Sequence, residues 1–180
     1  MPENTFELVP GRECGTCTAC CTHLTIEDPA LNKPGGVTCA HCVEGCAIYT
    51  TRPPVCRTFF CGWRQIPELG DDWRPDRSGI LIRLFRSEDG QDEASFIVTG
   101  PLSALGNRNL ALVVAGMIAA GVRSILVVPG KPATPPALVL LNPTLSDAVG
   151  AKDIAGVTRG LNEAGRLAIT ILRQAGTSVI

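Results

Sequence analysis

Nine cysteines, all between Cys14 and Cys61, constrain this chain more than any other feature. They form three groups, CGTCTACC at 14–21, CAHCVEGC at 39–46 and CRTFFC at 56–61. The 119 residues that follow hold no cysteine at all. A CxxC turn lets two sulfurs face one point, which is how half of a tetrahedral metal site is built. The spacing occurs three times here, at Cys14–Cys17, Cys17–Cys20 and Cys39–Cys42. Adjacent side chains diverge, so Cys20 and Cys21 point to different ions; this predicts two metal centres or a cluster sharing thiolates.

The alternative use of clustered cysteines is a disulfide framework, which belongs to oxidising compartments. The opening residues, MPENTFELVPGRE, lack a basic stretch followed by an apolar one, so no secretory leader is expected. The longest apolar run, Leu110 to Val122, is broken by two glycines and falls short of the ~20 residues that span a bilayer. A cytoplasmic protein with reduced thiols and no membrane span is therefore the expectation. Nine is also an odd number, which leaves at least one thiol unpaired within the chain. The formal net charge is −1, with five basic and six acidic residues up to residue 65 and eleven of each beyond it. No basic face is set aside for nucleic acid.

Two domains follow from the change in composition, a cysteine-rich module over 1–65 and a core over 66–180. The module is poor in large apolar residues, so a bound metal must supply folding free energy that burial does not. Turn formers in EDPALNKPGGVT predict a loop between Ile26 and Cys39, and Pro53 and Pro54 interrupt any helix running through AIYTTRPPVCRTFFC. In the core, GILIRLFR at 79–86 and ASFIVT at 94–99 flank an Asp89–Gly90 turn and read as a hairpin. Asn107 or Asn109 caps a helix over 109–121, and SILVV at 124–128 and ALVLL at 137–141 read as buried strands. A helical pattern over 145–175 breaks near Gly150 and places Ile154, Val157, Leu161, Leu167 or Ala168, and Ile171 on one face. Trp63 and Trp73 are expected to pack between module and core. The predicted class is α+β, an irregular cysteine-rich module followed by a core of antiparallel strands and helices.

The motif CGTCTACC, a spaced cysteine, then CAIYTTRPPVCRTFFC, resembles the CxxCxxCC zinc- or iron-chelating domain family. The likeness covers about 48 residues and is carried by Cys14, Cys17, Cys20, Cys21, Cys39, Cys46, Cys56 and Cys61, with Ile48, Tyr49, Arg52, Pro53, Arg57 and Phe59 between them. It implies thiolate binding of zinc or iron ions, or alternatively of an iron–sulfur cluster. Cys42 stands outside the eight-cysteine pattern as an extra thiol, and its replacement by serine is expected to be nearly silent. A relative that methylates lysine carries a similar module, although this chain shows no cofactor-binding motif. Arg52, Arg57 and Arg64 are placed to offset the negative charge of thiolate sites, and His23 and His41 are alternative ligands. No HExxH, GxSxG, Walker or GxGxxG pattern is present, and catalytic residues are not identified. Three functions stay open: a metal-binding protein, an iron–sulfur protein in electron transfer or protein modification, and a structural zinc module beneath a domain that recognises another protein.

Overall fold

The computed structural model describes residues 7–176. The chain is α+β, and its centre is a four-stranded sheet built of β3 to β6. Before the sheet come a short helix α1 (Ala19–His23), a small hairpin of β1 (Ile26–Asp28) and β2 (Leu31–Lys33), and two one-turn helices, α2 (Pro54–Arg57) and α3 (Gly62–Gln65). The β1–β2 hairpin lies where the turn formers predict only a loop. Asp28 makes it possible, because its Oδ1 accepts the Ala30 N–H at 2.9 Å and closes the turn.

One further helical turn, α4 (Pro75–Ser78), ends on Gly79 in the left-handed region and leads into β3 (Ile80–Arg86). β3 pairs antiparallel with β4 (Asp92–Val98), as the hairpin pattern predicts. The predicted helix appears as α5 (Arg108–Ala119), with Asn107 Oδ1 accepting the Asn109 N–H at 2.8 Å. It returns the chain to β5 (Arg123–Val128), which lies parallel to β4, and β6 (Ala137–Leu140) closes the sheet antiparallel to β5. The antiparallel expectation thus holds for two of the three pairings. The middle one is parallel because a helix, not a tight turn, joins its strands.

The closing helical pattern is two helices, α6 (Asn142–Gly150) and α7 (Ile154–Gln174), with Asp153 capping the second through the Gly156 N–H at 2.8 Å. α7 buries Val157, Leu161, Ala164, Ala168 and Leu172, a stripe of three- and four-residue steps. Ala168, not Leu167, lies on that stripe, and Ile171 sits one position off it at the surface.

The sheet has two unlike faces. Ile80, Ile82, Leu84, Phe96, Val98, Leu126 and Val139 point into one core with α5, α6 and α7. On the opposite face, Leu81 and Ile97 form a second cluster with Ala19, joined by Cys17, Cys20, Leu24, Phe59, Cys61 and Val127. The cysteine-rich segment therefore roofs the sheet over β3 and β4, and β4 is buried on both sides. The roof stops short of β6, where Leu138 is 60% exposed and Leu140 40%. β6 is consequently buried on alternate residues, not throughout as its apolar run suggests.

At the expected boundary of residue 65 the chain touches both parts. α3 lies against β3 so closely that a Cβ on Gly62 would meet the Ile82 Cβ at 2.8 Å. Trp63 and Trp73 are both buried in the helix-side core, and Trp63 Nε1 donates to the Gly70 carbonyl at 3.1 Å. Arg12, two residues before the first cysteine and part of a polar lead-in over residues 1–13, donates to the carbonyls of Trp63, Ile66, Pro67 and Leu69 and lies over the Trp63 ring. The N-terminal part of that lead-in, residues 1–6, lies outside the described residues.

Candidate metal centre

Each thiol group is presented by a tight backbone turn. The Cys17 N–H donates to the Cys14 carbonyl at 2.9 Å and the Cys42 N–H to that of Cys39 at 3.0 Å, closing two of the three CxxC turns. Tyr49 N–H donates to Cys46 and Arg64 N–H to Cys61 in the same manner. Cys20 and Cys21 sit in α1, on consecutive positions about 100° apart around its axis. The two sulfurs stay in contact with each other but take different further neighbours. Cys20 faces the sheet with Cys17 and Cys61, while Cys21 turns toward Cys42 and the third-group Cys56.

Two thiol neighbourhoods result. In the first, Cys61 lies among Cys14 and Cys17, and Cys20 packs on the same apolar patch as Cys17 and Cys61. In the second, Cys56 has Cys21, Cys39 and Cys46 around it, and the Cys39 N–H donates to the Cys21 carbonyl at 3.0 Å. Cys39 is the buried member, and its sulfur accepts the His41 N–H at 3.4 Å. All nine cysteines are free thiols.

The protonation chemistry matches crowded, half-buried thiols. Burial pushes the Cys61 thiol up to about 11, with the backbone N–H groups of Arg64 and Trp63 pulling the other way. Burial likewise raises Cys17, Cys42 and Cys56, and neighbouring thiols add to the effect in each. Cys21 is raised most, first by its hydrogen bond to Cys20 and then by burial. Thiols held this close resist ionising one beside another, and a cation is what reverses the balance.

The structure supplies cations at both neighbourhoods. Arg64 is buried, its Nη1 donates to Cys14 Sγ at 3.8 Å, and its guanidinium lies over the Phe60 ring. Arg64 is therefore not a solvated surface charge. Arg52 stacks on the Tyr49 ring at 3.8 Å and draws the Cys56 thiol down, whereas Arg57 is exposed. Sequence reasoning missed Lys33, which is 6% exposed and donates to the carbonyls of Thr22 at 3.3 Å, Leu24 at 2.5 Å and Pro34 at 3.2 Å. It faces Cys39, Cys21, Cys20 and Cys56; burial lowers its pKa and those thiols raise it. Nothing in KPGG marks this lysine in advance, because its burial depends on the hairpin folding beneath α1.

The histidines stand apart. His41 is exposed and contributes its backbone N–H, while His23 has a buried Nδ1 without a partner and is held below its ordinary pKa by burial. His23 faces a cavity of about 590 Å³ at the seam of module and core, shared with Asp76, Arg77, Thr99 and Asn107. Asp76, one of the loop carboxylates, is paired with Arg74 at 2.7 Å and touches Cys17, and Arg74 holds its carboxyl below the usual range. Asp71, Asp72 and Lys131 are at the surface.

The segment is rich in thiols, with the buried cations Arg64 and Lys33 among them, and Cys20 lies between the two neighbourhoods. The thiols are neighbours and not a closed shell: among the described residues no three His, Cys, Asp or Glu side chains converge closely enough to share one ion. No helix among the described residues is long and apolar enough to cross a membrane. Compared with known proteins, the chain matches no family model, no curated protein and no solved structure, so the family resemblance rests on the cysteine motif alone.

Proposed function

We propose that this chain is a metal-binding protein that holds zinc or iron through two four-thiolate centres. Cys14, Cys17, Cys20 and Cys61 form the first, and Cys21, Cys39, Cys46 and Cys56 the second. One observation carries the reading: between residues 14 and 61 the buried apolar side chains are Ala19, Ile26 and Cys39. So small a core leaves the segment short of folding free energy, and nine gathered thiols are the chemistry that provides it through a metal. Arg64 at the first centre and Lys33 at the second offset the negative charge of a tetrathiolate site. The free thiols fit a reducing compartment, and we place the protein in the cytoplasm.

A second reading, a structural zinc module, is favoured by the packing of Ala19 against Leu81 and Ile97, since the metal segment also covers the sheet. The apolar residues it leaves open, Leu138 and Leu140, belong to the core that would meet another protein.

The test is metal and acid-labile sulfide analysis of protein purified without oxygen, together with its visible spectrum. Zinc at about two ions per chain and no colour supports closed thiolate sites. Iron with sulfide and a brown chromophore moves the protein to the iron–sulfur class. Cys17→Ser and Cys56→Ser each remove one ion, from different centres. Unchanged metal content in both variants would falsify the ligand assignment.

A further inference from the structure

Cys42 is the thiol that the eight-cysteine pattern leaves over, and the fold gives it one defined partner. Residues 41–47 form a narrow hairpin in which Cys42 and Cys46 face each other across an antiparallel bridge. The Ala47 N–H donates to the His41 carbonyl and the Val43 N–H to the Gly45 carbonyl, both at 2.9 Å. These bonds flank the two cysteines and make them a non-hydrogen-bonded pair, whose side chains leave from the same face. Cα atoms in such a pair are ~4.5 Å apart, within the ~4.4–6.8 Å that a disulfide spans. No other two cysteines of the chain are set opposite each other by strand pairing.

The hairpin is held in this shape from outside. Its tip turns through Glu44 at φ +50° and Gly45 at φ +127°. A Cβ on Gly45 would meet the Gly15 carbonyl oxygen at 3.0 Å, so the tip lies against the first CxxC turn. Cys39 is buried, whereas Cys42 and Cys46 are both half-buried and the tip between them exposes Val43 and Glu44. A small solute therefore reaches both sulfurs. Burial raises the Cys42 thiol, so what singles out this pair is position and not acidity. Once either sulfur is oxidised, its partner is already in place, which is how proximity accelerates a closing step.

We propose that Cys42 and Cys46 form a redox modification site, a dithiol that a hydroperoxide oxidises to a cross-strand disulfide. This goes beyond the metal reading and does not depend on it, since two sulfurs suffice and no ion takes part. With hydrogen peroxide, one sulfur takes an oxygen as the O–O bond breaks, giving a sulfenic acid and one water. The second sulfur then attacks the first. The S–S bond forms, the S–O bond breaks, and the hydroxyl leaves as a second water with the remaining thiol proton. Two thiols thus lose two electrons, and one peroxide gains them. The ring closed between residues 42 and 46 is so short that it constrains the unfolded chain little, so the bond changes the chemistry of the site more than its stability.

The experiment treats the full chain, purified without oxygen, with equimolar hydrogen peroxide, then alkylates it with iodoacetamide and cuts it after glutamate. Cleavage after Glu27, Glu44 and Glu68 puts Cys42 in peptide 28–44 and Cys46 in peptide 45–68, which only a disulfide can hold together. Mass spectrometry is expected to find the two peptides joined through Cys42 and Cys46, and parted by dithiothreitol. This link should exceed the Cys39–Cys42 link of the adjoining CxxC turn about tenfold. In urea, where the hairpin is lost, the preference should fall to about one to one. A preference that survives urea overturns the proposal, because the fold would not be its source. Cys42→Ser should leave the peptides apart, and joining at the wild-type yield also overturns it. The same treatment after a strong chelator repeats the measurement with metal removed, and absence of the link from both preparations overturns it as well. Metal analysis of the untreated chain is a separate readout. A chain without zinc or iron sinks the two-centre reading, while the link alone decides this one.

Discussion

The cysteine segment and the α+β core occupy opposite faces of one sheet and hold their shape by different means. Below the sheet, α5, α6 and α7 bury a continuous core that includes Phe96, Leu126, Val157 and Leu161, each almost inaccessible to water. Above it, the segment from Cys14 to Cys61 buries little more than Ala19, Ile26 and Cys39, and its turns are closed one at a time by short-range backbone bonds. The lower layer is stable through apolar burial, which needs only water. The upper layer has little such burial, and under the proposed function its order comes from metal held by its thiols. Under that proposal the chain carries a self-sufficient half and a metal-dependent half, joined through a single β-hairpin that both cover.

The sharpest way to break this comparison is to remove metal. With a strong chelator, amide-exchange protection is expected to collapse across residues 14–61 while β3, β4 and α7 stay protected. Structural zinc contributes on the order of 10 kcal/mol to small metal modules, so this is the largest effect. If the far-UV circular dichroism of the whole chain is lost together, the two layers are one cooperative unit and the comparison fails.

The converse test is Leu161→Ala in α7. It opens a cavity in the helix-side core and is expected to cost about 2–5 kcal/mol in chemical denaturation. Metal content of the folded protein should not change. A parallel loss of bound metal would show that the upper layer borrows its order from the lower.

Gly62→Ala probes the seam. Alanine favours the helix α3, but its methyl would lie 2.8 Å from the Ile82 Cβ, a rigid part of β3. The expected outcome is a loss of about 1–3 kcal/mol, read as a lowered thermal midpoint, with Arg64 and Cys61 shifted from their places beside the first thiol group. An unchanged or raised midpoint would mean that α3 can lift from the sheet freely.

The smallest effect is the most local. Lys33→Met keeps an unbranched chain of similar length but removes the buried charge facing Cys39, Cys21, Cys20 and Cys56. Metal affinity of the second centre should fall about tenfold, the usual scale for a supporting group outside the ligand shell. Core stability should hold. Competition with a chelator of known affinity measures this, and no change in affinity would reduce Lys33 to a peg for the Thr22, Leu24 and Pro34 carbonyls.

Much of the core was legible beforehand because its signals are local. The Asp89–Gly90 turn between apolar alternations marks β3 and β4, and Asn107 at the head of an apolar helix marks its cap. The break after Gly150 appears where Asp153 restarts the helix. The thiol turns were legible for the same reason, since a CxxC turn closes within four residues. The short α1 was not, because a CxxCxxCC run suggests successive turns and gives no apolar periodicity to read. Lys33 was also invisible, for its surroundings are carbonyls from Thr22, Leu24 and Pro34 that only the folded hairpin brings around it.

By itself, then, the sequence determined that thiols would gather within 48 residues, that an α+β core would follow, and where most helices and strands begin. These depend on turn chemistry, caps and periodicity, all of which act within a few residues. Only the tertiary structure decided that β4 and β5 run parallel and that the cysteine segment lies on the outer face through Ala19, Leu81 and Ile97. Those are contacts between residues far apart in the chain. Spacing along a sequence does not encode them, because they are selected by which surfaces exclude water together once the local pieces exist.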